Sequence, residues 1–367
     1  MRFIIFTRTM WDEPPRLRKQ VATLLLEHGH EIHFFQKRKF GRRAKSEEIS
    51  DRLTIHTSAH LLNHQLKIFQ PLNAIDAAFL KRIFRQQVDI RTDDVILNFC
   101  YDLDFLRDLY PNNRMLHIVN DDYIAMALTP HKRSAARLLK RNCQAANHTF
   151  TVSLMVEEYL REYTDNISLF FPWARSIYRQ PNVGLSRNEI MYWGYINERI
   201  DFDVVGEILD AGIKINFFGY ITPSNKVSEM LSHPNAEYHG IADLQDVPEV
   251  LERCCCSLLP YNPRDETIRC ITINNRGFEL LSFGLPLLYT ALPYLIPSPD
   301  NVIYKCHGAE KFLAAYEDAR RNFDAVQPVI EHFLQSHTSE MRYRQIMEVL
   351  ADDTSAVQSA LLNFRKM

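Results

Sequence analysis

Arg276 and Glu279 are the residues whose types and spacing most directly suggest chemistry in this chain. They lie in the segment ITINNRGFELLSFGLPLLYT, where an asparagine cap and a closing Gly-Leu-Pro predict a short helix over roughly 276–283. A cation in the first turn of a helix is mildly unfavourable, because the helix N-terminus carries partial positive charge. The position of Arg276 therefore needs an explanation.

Two interpretations of this segment are open. In the first, Arg276 and Glu279 form a solvated i,i+3 pair on a surface helix, worth about 0.3 kcal/mol. In the second, an anion lies at the helix start. Amide groups, the guanidinium and a carboxylate one turn later would suit a diphosphate and the hydroxyls of a ribose. Asn274 and Asn275 are the candidate caps, and both can also donate to phosphate oxygens.

The overall composition is that of an ordinary globular protein. Hydrophobic residues make up 46% and charged residues 24% of the 367 residues, a length that favours two domains. The formal net charge of -2 predicts no nucleic-acid partner, and no apolar run is long enough to cross a bilayer. Cys254, Cys255 and Cys256 have no metal-ligand spacing and are predicted to be core residues. We therefore expect a cytoplasmic protein with no metal site.

Strands and helices alternate along most of the sequence. The predicted strands are 2–7, 31–36, 94–99, 115–120 and 148–153 in the first half, and 190–196, 214–220, 236–240, 255–261 and 285–290 in the second. Helical patterns between them indicate a parallel sheet flanked by helices in each half. The predicted domains are 1–172 and 188–325, joined by a linker that contains prolines and a glycine. Residues 326–367 are predicted to be helices that pack back on the first domain.

The loops after the first strand of each half lack several well-known cofactor motifs. TRTMWDEPP contains no glycine, and GYINERID contains only one. A GxGxxG fingerprint, a Walker lysine motif and a GxSxG nucleophile elbow are all missing from the sequence. These observations argue against dinucleotide-dependent dehydrogenases, P-loop ATPases and α/β-hydrolases.

Several stretches, taken in order, resemble GT-B glycosyltransferases, particularly the bacterial group 1 enzymes that build surface polysaccharides. YWGYINERIDFDVVGEIL resembles the first strand, loop and helix of their C-terminal domain. HPNAEYHGIADLQDVPEVLERCCCSLLPY resembles the segment that closes over the nucleotide base. INNRGFELLSFGLPLLYT is similar to their signature P-x-K-x-x-E-Y-L-A-x-G-x-P-V-V, with Arg276 at the lysine and Glu279 at the glutamate. TRTMWDEPPRLRKQVATLL and HIVNDDYIAMAL are similar to the first loop and the acidic D-D-Y stretch of the group.

The resemblance implies an α/β fold of the GT-B type, with two Rossmann-like doubly wound domains facing each other across a cleft. It implies a metal-independent Leloir glycosyltransferase of the hexosyltransferase type, with a nucleotide-sugar donor, most simply a UDP-sugar, on the C-terminal domain. A glycan or lipid-linked acceptor would bind the N-terminal domain, and no cofactor besides the substrate nucleotide is expected. Such an enzyme would act in cell-surface polysaccharide synthesis, in the cytoplasm or peripherally at the inner face of the cell membrane.

Six residues form the candidate donor site. Glu279 would accept hydrogen bonds from ribose hydroxyls, and Arg276 would stabilise the charge that develops on the diphosphate. Arg199 follows a strand and would reach the diphosphate from the other side, unless it pairs with a neighbouring aspartate, Asp201 or Asp203. The set is Arg199, Tyr261, Asn274, Asn275, Arg276 and Glu279. For the tyrosine the alternative is packing at a strand end.

Asp121 and Asp122 are the candidate catalytic carboxylates. They follow the predicted strand MLHIVN, and a carboxylate at a strand end can take the proton of an attacking hydroxyl. The alternative role is capping of the next helical turn. Asp12 and Glu13, in the first loop, are further candidate bases. Arg18 is expected on a helix surface, with a role in fixing that loop as the alternative.

The run KRKFGRRAK (37–45) has six basic residues in nine. A solvated loop is the ordinary meaning of such a run. The functional interpretation is a contact with anionic lipid headgroups or a lipid-diphosphate acceptor, worth about 1 kcal/mol per charge near an anionic surface. The residues concerned are Lys37, Arg38, Lys39, Arg42 and Arg43, with Phe40 as an apolar anchor.

The sequence departs from the group at two positions. Ile271 stands where many retaining GT-B enzymes carry a glutamate eight positions before the conserved one, and Arg276 replaces a lysine. These departures leave retention or inversion of configuration open. They also leave open a non-catalytic GT-B protein that binds a nucleotide sugar or scaffolds a polysaccharide complex, and a sugar-nucleotide epimerase.

Overall fold

The fold is seen in a computed structural model that describes residues 1–13, 16–40, 44–61, 70–174 and 177–351. The chain divides into two units, Met1–Phe171 with the segment from Arg342 onward, and Pro172–Met341. Each unit contains one sheet with helices between its strands. The predicted α/β class, with a largely parallel sheet in each half, is confirmed.

The first unit is built on a sheet in the order β3-β4-β2-β1-β5-β6-β7-β8, in which only β3 and β4 pair antiparallel. Its strands are Arg2–Phe6 (β1), Glu31–Phe40 (β2), Lys45–Ser50 (β3), Leu53–His60 (β4), Val95–Asn98 (β5), Arg114–Val119 (β6), His148–Thr151 (β7) and Ile167–Leu169 (β8). Its helices are Leu17–Glu27 (α1), Gln70–Gln87 (α2), Leu106–Leu109 (α3), Lys132–Ala145 (α4) and Leu154–Leu160 (α5), with a 3-10 turn at Thr129–His131.

The second unit is built on a wholly parallel sheet in the order β11-β10-β9-β12-β13-β14. Its strands are Glu189–Trp193 (β9), Ile215–Phe218 (β10), Ala236–Tyr238 (β11), Cys254–Leu259 (β12), Leu287–Thr290 (β13) and Ile303–Cys306 (β14). The helices are Phe202–Asp210 (α6), Asn225–Leu231 (α7), Pro248–Arg253 (α8), Asn275–Ser282 (α9) and Gly308–Gln335 (α10), with 3-10 turns at Leu244–Asp246 and Glu266–Ile268. The last helix, Ser339–Leu350 (α11), begins in this unit, but its residues from Arg342 onward belong to the first.

The central strands are largely apolar, because helices cover both faces of a parallel sheet. All residues of β5 and β12 are buried, including the three consecutive cysteines, which lie in the core as predicted. Within the described ranges no group of His, Cys, Asp or Glu side chains could hold a metal ion.

Among the described residues all ten predicted strands are present, together with four that were not predicted. Among the four, β3 is exposed at every position and forms a charged edge, so it carries no apolar signal. β4 has the sequence LTIHTSAH, in which polar residues occupy buried positions such as His56 and Ser58. β2 runs to Phe40, beyond the predicted end at residue 36, so the start of the basic run is strand rather than loop.

The segment predicted as a linker, 172–187, belongs to the second unit. Arg187 is buried, donates to the carbonyl oxygen of Leu251 at 2.7 Å and lies 4.4 Å from the ring centroid of Phe323. The hydroxyl of Tyr178 donates to Gln327 Oε1 at 2.8 Å. These contacts hold the segment in place although it has no regular secondary structure. Amino-acid composition alone does not predict such contacts.

The C-terminal helices divide between the two units. α10 belongs to the second, whereas α11 from Arg342 onward belongs to the first. The side chain of Arg342 is buried and donates to the carbonyl oxygen of Phe171 at 2.7 Å, and the ring of Tyr343 stacks on His28 at 3.6 Å between centroids. Across the ranges described, no helix has the length and apolar character needed to cross a membrane.

Three buried histidines make the stability of the first unit sensitive to acid. Burial lowers the pKa of His56, His117 and His148 to about 4, and the neighbouring His33 adds to the effect at His56. The unfolded chain binds protons at these side chains below about pH 6.5, whereas the native state stays neutral until about pH 4. Stability is therefore lost as the pH falls through this window, by about 2 kcal/mol per histidine between pH 7 and pH 5.

Urea denaturation at pH 7 and pH 5 measures this loss directly. In His148→Gln the amide can keep a hydrogen bond to Ser168 Oγ, which lies 2.8 Å from His148 Nε2. We expect this variant to lose about 2 kcal/mol less than the parent chain between the two pH values. An equal loss in both proteins would contradict the assignment of His148 as an acid-sensitive group.

Candidate functional site

The carboxyl ends of β9 and β12 form the switch point of the second sheet. β10 and β11 continue from β9 to one side, while β13 and β14 continue from β12 to the other. Open parallel sheets bind ligands outside such a point, because the loops after the two strands diverge. In this chain an isolated antiparallel bridge between Ile200 and Tyr261 connects the loop after β9 to the loop after β12.

Arg276, the second residue of α9, lies at this switch point. Its guanidinium donates to the hydroxyl of Tyr261 at 2.5 Å and lies 3.4 Å from both the Tyr192 hydroxyl and the Trp193 carbonyl oxygen. Burial by itself lowers the pKa of the guanidinium, but Tyr261 and Tyr192 outweigh burial and raise the pKa above its ordinary value. A permanently charged group is thus held beside the start of a helix.

Asn274 connects the helix cap to the same tyrosines. Its Oδ1 accepts a hydrogen bond from the amide of Gly277 at 2.8 Å, which makes it the N-cap of α9. Its Nδ2 donates to the hydroxyl of Tyr261 at 2.7 Å and lies 3.3 Å from that of Tyr289. Asn275 follows as the half-buried first residue of the helix. Four of the six candidate donor residues therefore lie in one hydrogen-bonded group or directly beside it.

Glu279 is buried, with only 3% of its surface exposed. A carboxylate removed from water in this way costs free energy unless polar partners compensate it. The helix is therefore not a surface helix, and Arg276 makes its contacts with tyrosines of two strand ends. The interpretation of Arg276 and Glu279 as a solvated surface pair is wrong.

Gly194, directly after β9, makes room for Arg276. Its φ of 147° favours glycine, and a Cβ atom at this position would lie 2.1 Å from Arg276 Nη1. Gly219, directly after β10, has a φ of 135°, and its Cβ atom would lie 1.9 Å from the carbonyl oxygen of Gly194. The close approach of the guanidinium to the strand end thus depends on two glycines.

If this site holds the nucleoside diphosphate that the sequence resemblance implies, we expect Gly194→Ala to weaken its binding about tenfold, because the methyl group displaces the guanidinium and the backbone is strained. Isothermal titration with UDP measures the effect. The matched control is Gly206→Ala in α6, where a Cβ atom meets nothing within 4 Å. The control should bind UDP like the parent chain and gain up to about 1 kcal/mol of stability. Equal UDP affinity in both variants would contradict the role of Gly194.

Arg199 lies on the loop after β9, and half of its side-chain surface is exposed. Its Nε is 3.7 Å from Asp265 Oδ2, so its partner is neither of the aspartates suggested by sequence proximity. Asp201 instead caps α6 by accepting from the amide of Val204 at 3.3 Å. To bind a ligand near the switch point, Arg199 would have to break this weak, exposed ion pair with Asp265.

In the first unit, the two candidate catalytic aspartates have different surroundings. Asp122 is buried and its Oδ1 accepts from the amides of Ile124 at 3.1 Å and Ala125 at 2.9 Å, which is a capping role. Asp121 keeps 40% of its side-chain surface exposed, and its Oδ2 lies 3.0 Å from Arg18 Nη2. Only Asp121 presents a carboxylate to solvent.

Arg18 is buried, so its predicted position on a helix surface is wrong. It donates to Thr9 Oγ1 at 2.8 Å and to Asn120 Oδ1 at 3.0 Å, in addition to its contact with Asp121. Arg18 thereby joins the loop after β1 to the loop after β6. In the same first loop, Glu13 accepts from the Met10 amide at 3.2 Å, and Asp12 is exposed.

The basic run is divided by the structure. Lys37 is exposed and Lys39 half-buried at the end of β2, but Arg38 keeps only 12% of its side-chain surface exposed. Its Nη2 donates to Oδ2 of the fully buried Asp102 at 2.5 Å. Arg38 therefore faces the interior, and its assignment to a solvated, membrane-facing patch is wrong. Arg42 and Arg43 lie outside the described residues.

Sequence reasoning missed Tyr192, Gly194 and Asp102. The only signal for Gly194 was a glycine inside the predicted strand 190–196, which can mark a close approach of another group to the backbone. Asp102 gave no signal, because an aspartate after a strand is typical of a turn. Each of the three acquires its role from a partner distant in sequence, which the chain order does not identify.

No protein-family model matches the chain, and no curated protein matches it in sequence. Solved structures do match. Sucrose-phosphate synthase from Thermosynechococcus elongatus aligns over 97% of this chain and 99% of that protein, with a TM-score of 0.69 and 11% identity. An α,α-trehalose-phosphate synthase (UDP-forming) from Burkholderia vietnamiensis aligns over 97% and 98%, with a TM-score of 0.66 and 10% identity.

A third match is the α,α-trehalose-phosphate synthase (UDP-forming) from Burkholderia xenovorans, solved with glucose-6-phosphate. It aligns over 96% of this chain and 100% of that protein, with a TM-score of 0.64 and 12% identity. At such identities the similarity concerns the fold. The chain therefore has the GT-B fold, as the resemblance in its sequence implied.

Proposed function

We propose that this protein is a glycosyltransferase that moves a sugar from a UDP-sugar to a hydroxyl of a glycan or lipid-linked acceptor, in cell-surface polysaccharide synthesis. The observation that carries the proposal is the position of Arg276. Its guanidinium lies at the switch point of the second sheet, between two tyrosine hydroxyls and beside the N-terminus of α9. Helix amides and a guanidinium together suit a diphosphate.

The proposed reaction needs charge stabilisation at the leaving group. The acceptor oxygen forms a bond to the anomeric carbon while the bond from that carbon to the diphosphate breaks, and the electron pair passes to the diphosphate. Arg276 stabilises this developing charge in a fixed position, so little reorganisation is needed. Glu279, one turn further along α9, is proposed to accept hydrogen bonds from the ribose.

The proton of the acceptor hydroxyl must pass to a base, and we assign this role to Asp121. It is the exposed member of the aspartate pair, and Arg18 and Asn120 hold its carboxylate. Asp122 is occupied by backbone amides. A carboxylate held by a side chain of α1 and by its neighbour in the loop is better defined in position than one on a free loop.

UDP is the proposed nucleotide because two of the matching structures are described as UDP-forming enzymes. The exposed Lys37 also fits a peripheral contact with an anionic membrane surface. Sedimentation with anionic liposomes, compared for the parent chain and Lys37→Ser, tests that part of the proposal; equal binding would remove it.

Thermal-shift binding of UDP, GDP, ADP and CMP tests the donor assignment. UDP at a hundred times its dissociation constant should stabilise the native state by about 2.7 kcal/mol. Glu279→Gln should reduce the affinity for UDP more than for inorganic pyrophosphate, because only UDP carries the ribose hydroxyls. Selective binding of another nucleotide would replace UDP as the donor base. No response to any nucleotide would overturn the proposal.

Ile271 is the observation that favours a second function, a non-catalytic protein that binds the nucleotide sugar. It occupies the position at which many retaining relatives of this fold class are expected to have a glutamate. The same protein samples distinguish the two functions. UDP binding with no release of UDP from any UDP-sugar, in the presence of a broad panel of acceptors, would favour the binding protein.

A further inference from the structure

A second set of charged residues lies at the switch point of the first sheet. In the strand order, β2 and β4 continue from β1 to one side, and β6, β7 and β8 continue from β5 to the other. Arg8 lies on the loop after β1, and Asp102 on the loop after β5. Arg38, near the end of β2, pairs with Asp102. Ligands of open α/β sheets bind at such a position.

The pair of Arg38 and Asp102 is buried and incompletely satisfied. Arg38 Nη2 donates to Asp102, but Arg38 Nη1 is buried with no hydrogen-bond partner among the described residues. A buried donor without a partner costs free energy, and such groups are rare in native proteins. The guanidinium therefore has donor capacity that the described part of the fold does not use.

Arg8 brings a second guanidinium to the same region. It is half-buried and lies 5.4 Å from the ring centroid of Tyr101, the residue before Asp102. Burial lowers the pKa of Arg8, whereas the charge of Asp102 raises it and gives a net increase. Two guanidinium groups thus accompany one carboxylate.

The loop that carries Arg8 is held firmly. Thr7 Oγ1 accepts from the amide of Thr9 at 3.2 Å, and Arg18 donates to Thr9 Oγ1 at 2.8 Å. Arg18 already has its own carboxylate, Asp121. The two guanidinium groups beside Asp102 are therefore held by a fixed backbone. Groups held in place in this way bind an anion at a lower entropic cost than mobile, solvent-exposed side chains do.

We propose that Arg8 and Arg38 form a binding site for an oxyanion, a phosphate or carboxylate group carried by the acceptor. The inference rests on the proposed function for the identity of the acceptor, but not for the anion site itself. Arginine suits this task because its planar fork matches both groups with two parallel hydrogen bonds. Arg8, which is partly exposed, makes the direct contact, and Arg38 supplies the charge behind it.

Inorganic phosphate and acetate are the probes, each titrated at constant ionic strength against the melting temperature. Saturating UDP fills the donor site during the titration, so that the probes cannot respond to Arg276. The variants are Arg8→Gln, Arg8→Lys and Arg52→Gln. Arg52 is an exposed arginine between β3 and β4 and provides the same change of charge away from the site.

Phosphate, acetate or both should raise the melting temperature of the parent chain, and the stronger probe identifies the group on the acceptor. We expect Arg8→Gln to weaken that probe at least tenfold, Arg8→Lys to retain part of the response, and Arg52→Gln to match the parent chain. Absence of a response in the parent chain, an unchanged response in Arg8→Gln, or an equal loss in Arg52→Gln would each overturn the site.

The test of the anion site can succeed or fail independently of the test of the proposed glycosyltransferase function. If UDP does not bind, the titration is repeated on Arg276→Gln, in which the second-unit guanidinium is removed. A phosphate or acetate response that still depends on Arg8 would support the anion site while the glycosyltransferase proposal falls. UDP binding without any such response would keep the glycosyltransferase and remove the anion site.

Discussion

Arg276→Gln is expected to lower kcat at least 100-fold without unfolding the protein. The guanidinium is fixed where charge would develop on the leaving diphosphate, and removing one such preorganised donor typically costs a factor of about 10² to 10³ in kcat. Glutamine retains hydrogen-bonding capacity towards the hydroxyls of Tyr192 and Tyr261 but carries no charge. The measurement is the rate of UDP release from a panel of UDP-sugars, with urea denaturation as the test of folding.

Arg269→Gln provides the control for Arg276. Arg269 lies in the same unit, immediately after the 3-10 turn Glu266–Ile268, and is exposed. Its loss should leave the rate of UDP release within about twofold of the parent chain, since a solvated charge contributes little. A normal rate in Arg276→Gln would remove the leaving-group role, and an equal loss in both variants would indicate a general effect of charge.

Asp121→Asn is expected to lower kcat by a factor of about 10² to 10⁴, the usual contribution of a general base. Asparagine can keep the hydrogen bonds to Arg18 and Asn120 but cannot accept a proton. UDP binding should not change, because the proposed UDP site lies in the other unit. Turnover and UDP titration on the same sample separate the two properties.

Asp122→Asn is the matched comparison at the adjacent position. Asp122 caps the turn that contains Ile124 and Ala125, and an asparagine oxygen can accept from the same two amides, so the variant should retain its stability and most of its turnover. If Asp122→Asn lost turnover and Asp121→Asn did not, the assignment of the base to Asp121 would be wrong. Loss in both would indicate that the loop geometry, rather than one carboxylate, limits the reaction.

The alternation of strands and helices could be predicted from the sequence because the central strands are largely apolar and bounded by turns. The short helix of the opening segment was predicted as 276–283 and is Asn275–Ser282. Its cap, Asn274, was one of the two candidates predicted with Asn275, since capping is a local interaction between a side chain and an amide three residues away. Local rules were sufficient wherever the partner lies within one turn of the chain.

The ion-pair and hydrogen-bond partners of the charged residues could not be predicted from the sequence by these local rules. Arg199 is near Asp201 in sequence but pairs with Asp265, and Arg38 belongs to a basic run but pairs with a buried aspartate 64 positions away. Arg18 was expected on a helix surface and is buried between two loops. In each case the partner comes from a different strand end, and the order of strands in the sheet decides which ends meet.

The sequence by itself determined the α/β class, the positions of the main strands and the helix that carries Arg276, because hydrophobic periodicity and capping act over a few residues. Only the tertiary structure decided what surrounds Arg276. It placed Tyr192 and Tyr261 at neighbouring strand ends and made Gly194 the residue that lets the guanidinium approach. The physical reason is that parallel strands bring together loops far apart in sequence, so the electrostatics of a site depend on strand order.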